Sequence, residues 1–446
     1  MKKPGFIAGV VEGFYGTPWE PEQRRRLFER MAALGLNAYF YAPKDDLKHR
    51  VLWREPYEGR EVETMGELIA ACKAQGLRFI YGLSPGLDAR FEEEDEAARA
   101  EARFRQLREL GCEDFALLFD DLPEQPDGPE PPARLQARFA NRILERTRPL
   151  SPQGLFLFCP TAYCGRMAAA GVGGKGYLDL LGRELHPTIE ILWTGPEIIS
   201  PEIPTQHVKE TARRLRRPPV IWDNLFANDY DGSRMCLGPY SGRPLDLRRE
   251  TRGILINPNT EFELNFAPLH TFAAYLREEV DWSPRAAYLE AMRRWSEAFE
   301  TVGAPIAPED LAFLGDCYYL PHREGPAGER LIELARRLTG PRSPDWEAAA
   351  EEFLQWNQRA QRLSERLPAL RRRRLFYDLW RRAWEWREEL RLWELYIRFR
   401  RSRPPEAPFR SEEHPPGIYR GGFVNRLRRL LLPREDGSFV PGAPEN

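Results

Sequence analysis

Eight short, nearly continuous apolar runs divide the first 259 residues of this chain, and no other feature narrows its fold as much. They are FIAGVVE (6–12), AYFYAP (38–43), RFIYGLSP (78–85), DFALLFDD (114–121), LFLFCP (155–160), IEILWTG (189–195), PVIWDN (219–224) and RGILINPN (252–259). A strand with one wet face alternates apolar and polar residues. A run apolar at almost every position is covered on both faces, as in a parallel sheet flanked by helices. The intervening segments supply the helices. Residues 21–34 place Leu27, Met31 and Leu34 on one face, residues 63–75 place Met65, Leu68, Ile69 and Cys72 on one face, and 95–110 and 133–148 read similarly. Only the connection between the seventh and eighth runs reads as a loop. Eight strand–helix units in this span fit an α/β fold, the (β/α)8 TIM barrel of typically about 250 residues. An open doubly wound sheet binding a nucleotide wants a glycine-rich turn after its first strand, and the turn here is EGFYGTPW.

Beyond residue 282 the strand runs cease. Residues 283–300 and 328–402 carry long helical patterns, and 404–446 are Pro-rich with one short apolar stretch, FVNRLRRLLL (423–432). The expected organisation is a (β/α)8 domain over 1–282 with the catalytic site at its strand ends, an all-α helical-bundle domain over 283–403, and a loosely ordered tail over 404–446. Within 376–399, Trp380, Trp384, Leu392 and Leu395 recur at helical intervals, with Trp386 and Trp393 further round. Both faces are partly apolar, so this helix is expected to pack on two neighbours with its tryptophans in the core.

Composition excludes several partner classes. Lys and Arg number 66 against 68 Asp and Glu, a balance that gives no reason to expect nucleic acid or an anionic membrane as partner. No apolar run approaches the roughly 18 residues of a membrane span. The start superficially resembles a signal peptide, but Pro4, Gly5 and Gly9 interrupt it and Glu12 ends it. Six Cys without a CxxC pair offer neither a disulfide framework nor zinc spacing. Reduced thiols and a cytoplasmic location are the expectation.

The residues closing the strands carry the chemistry. They are Glu12, Lys44–Asp45–Asp46, Asp120–Asp121, Thr161 and Tyr163, Thr194, Asp223–Asn224, and Asn257 and Asn259. In a (β/α)8 barrel the C-terminal strand ends face the active site. Carboxylates, amides and a lysine there suit a polyhydroxylated ligand, and Trp193 and Trp222 add flat apolar surfaces that stack on sugar rings. The Asp120–Asp121 pair is the sharpest element. Successive side chains on a strand point to opposite faces, so both can reach one site only if the chain leaves strand geometry there. Otherwise one Asp caps the next segment or pairs with an arginine. Two carboxylates serve glycoside hydrolysis as acid and nucleophile, but sequence neighbours are crowded for flanking a bond. They fit better a reaction in which the substrate's own 2-acetamido oxygen attacks the anomeric carbon. One Asp then orients the amide and the other handles the leaving-group proton.

At this point a resemblance emerges. GVVEGFYGTPW (9–19), YFYAPKDDLKHRVLWRE (39–55), FIYGLSPGLD (79–88), FALLFDDL (115–122), FCPTAYCG (158–165), IEILWTGPEIIS (189–200), PPVIWDNLFANDYDGSR (218–234), LGPYSGR (237–243) and NPNTEFELNFAPLHTFAAY (257–275) resemble, in order, segments of the family 84 glycoside hydrolases, the O-GlcNAcases and bacterial β-N-acetylglucosaminidases. CYYLPHREGP (317–326) is similar to that family's helical region. The resemblance implies a retaining exo-β-N-acetylglucosaminidase using substrate-assisted catalysis through an oxazoline intermediate, on GlcNAc O-linked to Ser or Thr of proteins, with no cofactor and no metal. It implies that Asp120 hydrogen-bonds the acetamido N–H and stabilises the oxazoline, and that Asp121 protonates the glycosidic oxygen and then deprotonates water. Tyr163 would donate a hydrogen bond near the reaction centre, and Trp222 would wall the acetyl-methyl pocket. Gly13 (by its backbone), Lys44, Asn224, Asp229 and Asn257 would hold the sugar hydroxyls. A homodimer through the helical domain also follows from the resemblance.

Other signals fall away. GVGGKG (171–176) lacks the spacing and the Ser or Thr of a P-loop, and Asp229–Tyr230–Asp231–Gly232 lacks the Glu twelve positions into a calcium loop, where Tyr240 stands. Two alternative functions stay open at this stage. One is hydrolysis of other GlcNAc conjugates, such as cell-wall or glycan fragments. The other is a non-catalytic glycan-binding barrel.

Overall fold

The computed structural model describes residues 5–122, 130–403, 407–420, 422–434 and 436–442. Strands β1 (Ile7–Glu12), β2 (Ala38–Tyr41), β3 (Arg78–Leu83), β4 (Asp114–Leu118), β5 (Phe156–Cys159), β6 (Ile189–Trp193), β7 (Val220–Asp223) and β8 (Gly253–Ile256) close into one barrel in sequence order. Every neighbouring pair is parallel, with β8 returning to β1 through Ile7 opposite Gly253 and Val10 opposite Ile256. Helices α1 (Pro21–Ala33), α2 (Arg60–Ala74), α3 (Glu94–Glu109), α4 (Pro132–Thr147), α5 (Gly165–Ala169), α6 (Tyr177–Glu184), α7 (Thr205–Leu215), α8 (Leu247–Glu250) and α9 (Phe266–Arg277) follow the strands. The seventh connection is the expected loop, with only the four-residue α8 in it.

The apolar runs become strands because both of their faces are dry. Ile7, Val11, Phe40, Ile80, Ala116, Leu118, Leu157, Leu192, Val220 and Leu255 fill the barrel interior, each contributing about 1.5–3 kcal/mol if of Leu or Ile size. The strands' other faces meet helices such as α1, which starts at Pro21 behind a Glu20–Gln23 capping box and buries Leu27, Phe28 and Met31. Tyr163, Cys159 and Trp222 belong to the top of the same interior cluster.

Helices α10 (Pro284–Trp295), α11 (Pro308–Cys317), α12 (Pro326–Leu338), α13 (Pro344–Arg366), α14 (Arg373–Ser402) and α15 (Phe423–Leu430) follow. The chain divides into two compact units, Met1–Gly328 with Ala369–Arg382, and Glu329–Pro368 with Ala383–Asn446. Strand-bearing sequence thus ends well before the first unit does, because α10 continues the packing of α9. In the second unit, Trp346, Ala349, Phe353 and Leu363 of α13 are buried, and Phe353 lies 5.9 Å from Trp393. The expected tryptophan core is only partly realised: Trp386 is buried, whereas Trp380 and Trp384 are 48% and 40% exposed. The buried apolar residues of α14 are Leu375, Leu379, Ala383, Trp386, Leu390 and Ile397. They recur at intervals of three, four and seven residues, a narrow stripe along one side of the helix. In the C-terminal segment, α15 precedes a two-stranded antiparallel ribbon of β9 (Leu431–Pro433) and β10 (Phe439–Pro441). Residues 404–406, 421, 435 and 443–446 of the expected tail lie outside the described residues. Among the described residues no helix is long and apolar enough to cross a membrane.

Candidate active site

The C-terminal ends of the strands surround a cavity of about 360 Å3, at the small end of ligand pockets, which run about 300–1,000 Å3. Gly13, Lys44, Asp120, Asp121, Tyr163, Trp222, Asn224, Asp229 and Asn257 all line it, so every expected site residue is brought to one place. Strand β4 ends at Leu118, two residues before Asp120. Asp121 then takes a left-handed backbone with φ of 50°, uncommon for a residue with a side chain. That kink is how adjacent carboxylates, which a strand would send to opposite faces, both come to line one cavity.

The two carboxyls are held differently. Asp120 is buried, and its Oδ2 accepts a hydrogen bond from the Lys44 ammonium, itself buried. Burial alone would raise the Asp120 carboxyl, but the charge and hydrogen bond of Lys44 outweigh it and hold the group below the ordinary carboxylate value. Among the described residues nothing donates to Asp120 Oδ1, although that atom is buried. An unengaged buried acceptor costs about 1–3 kcal/mol and marks a place for a ligand's N–H or O–H. Asp121 accepts from two phenols, Tyr163 Oη to Oδ1 at 2.8 Å and Tyr15 Oη to Oδ2 at 3.0 Å. Burial, then the Asp121 charge, pushes both tyrosines above the ordinary phenol value, so both stay protonated donors.

The remaining wall is built from amides and one indole. Asn224 Oδ1 accepts from Trp222 Nε1 and from Asn257 Nδ2, each at 3.0 Å, and Asn224 Nδ2 donates to the Ile198 carbonyl at 2.9 Å. Asn257 Oδ1 is a second buried acceptor with no partner among the described residues. Asp229 Oδ2 accepts from the Tyr15 backbone N–H at 2.9 Å. Gly13 lies flat against Trp222: a Cβ there would sit 2.1 Å from Trp222 Cζ2. Lys44 also lies 5.5 Å from the centre of the Trp222 ring.

Five of the polar residues closing the strands do other work. Glu12 accepts from Arg24 and from the Trp19 N–H. Asp46 accepts from Tyr41 and Tyr57, and Asp223 from Arg243 and Tyr240. Thr161 bonds Gln136 and Tyr177, and Asn259 bonds Cys236 and Asn265. These residues tie down loops. Trp193, expected to offer a sugar-stacking face, is 1% exposed and donates to His207 Nε2 at 3.0 Å; it is core. Conversely Tyr15, Ile198, Ile199, Ala227 and Tyr230 line the cavity without having been singled out. Tyr15 could have been found from its place two residues beyond Gly13.

A closed eight-stranded barrel with paired carboxylates in a sugar-sized cavity at its strand ends fits a glycoside-hydrolase architecture. The matches with known proteins then narrow the class. A β-N-acetylglucosaminidase family profile matches residues 8–312, and the chain belongs to that family. It is 43% identical over 281 residues to the Protein O-GlcNAcase of Rattus norvegicus and equally to that of Mus musculus, over 62% of this chain and 30% of each relative. The chain therefore spans less than a third of the length of these curated relatives. A solved structure of an O-GlcNAc hydrolase mutant from Thermobaculum terrenum is similar with a TM-score of 0.75 and 29% identity, covering 88% of this chain and 84% of that one.

Proposed function

We propose that this protein is a retaining exo-β-N-acetylglucosaminidase that removes O-linked GlcNAc from Ser or Thr of proteins, with catalysis residing in the barrel. The observation that carries the reading is the asymmetric pair. Asp120 is an ionised carboxylate fixed by Lys44 with one oxygen unengaged, and Asp121 beside it is held by two hydroxyls that can re-pair as its proton comes and goes.

In the first step the acetamido oxygen of the substrate attacks its own anomeric carbon. Asp120 Oδ1 accepts the amide N–H, which raises the nucleophilicity of the carbonyl and then stabilises the positive oxazoline. Asp121 gives its proton to the departing glycosidic oxygen. In the second step Asp121 takes a proton from water as that water opens the oxazoline from the face the leaving group vacated, so the β configuration is retained. Tyr163 donates near the reaction centre. Trp222 walls the acetyl methyl, its position set by the absence of a side chain at Gly13. Asn224, Asp229, Asn257, Lys44 and the Gly13 backbone hold the hydroxyls, with the Lys44 ammonium shared between sugar and Asp120. The relatives named O-GlcNAcase and O-GlcNAc hydrolase favour a protein-linked sugar over other GlcNAc conjugates. The family resemblance suggests a homodimer through the helical region, which light scattering on the purified protein would test, and the six cysteines, with no CxxC pair among them, suit a cytoplasmic location.

The test compares aryl β-glycosides of GlcNAc and glucose with wild type and Asp120→Asn. The expected result is rapid cleavage of the GlcNAc glycoside alone and a large loss in the variant. Equal cleavage of both sugars would remove substrate assistance, and cleavage of neither would favour a glycan-binding barrel. An O-GlcNAc peptide run against a β-linked GlcNAc disaccharide then decides the substrate class: faster turnover of the disaccharide sinks the protein-directed part of the reading.

A further inference from the structure

Asp121 depends on a residue outside the sugar-binding wall. Its left-handed backbone is uncommon for a residue with a side chain, and one side chain bonds directly to the peptide that adopts it. Arg50, 8% exposed, lies in the segment after Lys44. Its Nη2 donates to the Asp121 backbone carbonyl at 3.0 Å. Its Nη1 donates to Tyr15 Oη at 2.7 Å, and that hydroxyl donates onward to Asp121 Oδ2 at 3.0 Å. The guanidinium also lies 5.5 Å from the centre of the Tyr15 ring. The links close a ring from Arg50 through Tyr15 to the Asp121 carboxylate, along the Asp121 main chain, and back to Arg50.

Each link has a distinct consequence. The carbonyl bond fixes the peptide that turns Asp121 towards the cavity. The Tyr15 bond fixes the phenol as an acceptor from Arg50, which leaves its own hydrogen aimed at Asp121. Among the described residues Arg50 makes no ion pair with a carboxylate side chain, so its two forked donors serve this corner. A lysine could supply the charge but not two donors in fixed directions.

We propose that Arg50 is the positioning residue for the acid–base carboxyl Asp121, acting through the Asp121 carbonyl and Tyr15. This inference rests on the function proposed above. Arg50 does not line the cavity, so its loss should act on proton transfer to the leaving group and little on sugar binding.

The experiment measures kcat and KM of wild type, Arg50→Met, Arg50→Lys and Tyr15→Phe on two β-GlcNAc glycosides. One has an alkyl leaving group that needs protonation, and the other an activated aryl group that needs little. Each variant is also made in an Asp121→Asn background. We expect Arg50→Met to lose at least about 30-fold in kcat on the alkyl glycoside and less than about 5-fold on the aryl one, with KM within about 3-fold. Arg50→Lys should recover less than half of the loss on a logarithmic scale. In the Asp121→Asn background Arg50→Met should cost almost nothing further, because the group it positions is gone. Equal losses on both glycosides, or the same loss in both backgrounds, would overturn the proposal and make Arg50 a general loop support. If Arg50→Met does not fold, Tyr15→Phe decides: it removes one oxygen from the ring of contacts, and equal losses on the two glycosides overturn the proposal. Failure of wild type to cleave either glycoside would instead overturn the function itself.

Discussion

Replacing Lys44 with methionine keeps the aliphatic stem and removes the charge. The pair is nearly dry, with side-chain exposures of 2% for Lys44 and 9% for Asp120, and breaking such a pair from one side costs about 3–5 kcal/mol. The mutant has one escape, which is to protonate Asp120. From the ordinary carboxyl value, taking up that proton costs about 4 kcal/mol at pH 7 and about 1.5 kcal/mol at pH 5, at about 1.4 kcal/mol per unit. The stability deficit should therefore stand near 4 kcal/mol at pH 7 and shrink towards 1.5 kcal/mol at pH 5 by the same arithmetic. The sign follows from the two carboxyls. In wild type, Asp120 is held below its unfolded value, so its contribution is present above that value and lost only as pH falls through the lower folded one. In the mutant the unpaired buried carboxyl lies above its unfolded value, so stability drains as pH rises. The two curves converge in acid.

Urea unfolding of both proteins at pH 5, 6, 7 and 8 measures this directly. Activity carries a second signature. Because the ionised form of Asp120 is the one that accepts the amide N–H, the acid limb of the rate profile should move to higher pH in the mutant. Lys44→Met with Asp120→Asn should regain most of the stability and none of the activity. A deficit that does not change with pH, or a double mutant no more stable than the single one, would refute the argument that Lys44 works by holding Asp120 ionised.

Three other outcomes are expected. Gly13→Ala places a methyl 2.1 Å from the Trp222 ring, and the ring, 5% exposed, must turn into the cavity; overpacking of this kind costs about 1–3 kcal/mol, read as a lower Tm with a raised KM for β-GlcNAc glycosides, whereas an unchanged KM would place the acetyl group elsewhere. Asp378 is pushed up to about 6 by burial, with Glu263 and Glu261 adding to it, so it stabilises the fold below its unfolded value and that contribution is lost as pH rises through about 6; Asp378→Asn, which still accepts from the Glu263 N–H, should gain up to about 3 kcal/mol at pH 8 and nothing at pH 4, by Tm at the two pH values. Asp121→Asn should keep substrate binding while losing most turnover of unactivated β-GlcNAc linkages and far less on a good leaving group, and near-wild-type hydrolysis of an unactivated linkage would remove the acid role.

The barrel was legible because strand periodicity and burial are one fact seen twice. Runs such as FALLF are apolar at every position because both faces of β4 are covered, and Leu117 and Leu118 are indeed fully buried. The nine expected site residues were legible through strand ends and family resemblance together. What the strand ends alone could not separate was a carboxylate that lines the cavity from one that anchors a loop. Glu12 and Asp120 both close strands, and both are buried. The difference is the cation that reaches them, Arg24 from a helix for Glu12 and Lys44 from a neighbouring loop for Asp120. With so many arginines in the chain, pairing them with carboxylates by sequence is undetermined. The tryptophans of α14 show the same limit on a helix, since a narrow stripe and a broad apolar face differ by one residue of rotation.

The missed residues share a physical character that explains both their illegibility and their use. Tyr15, Arg50 and Arg243 do not extend a strand pattern; they join one loop to another. The Tyr15 N–H reaches Asp229, the Gly16 N–H reaches Asp45 at 2.6 Å, and Lys44 N–H reaches the Phe14 carbonyl at 3.2 Å. Arg50 reaches Asp121, the Thr194 N–H reaches the Tyr163 carbonyl at 2.9 Å, and the Asn257 N–H reaches the Asp223 carbonyl at 2.8 Å. Fully buried Arg243 binds Asp223 and the carbonyls of Ser200, Pro201 and Ser241, fixing the segment next to Ile198 and Ile199. Loop is tied to loop around much of the barrel mouth, so the position of each site residue is set by the loops next to it as well as by its own strand. A reaction that needs one carboxyl ionised and its sequence neighbour able to carry a proton requires that sharing. Two adjacent aspartates on an isolated loop would move together, whereas here the loop after β2 reaches Asp120 through Lys44 and Asp121 through Arg50, and Tyr15 and Tyr163 from the loops after β1 and β5 hold Asp121 alone.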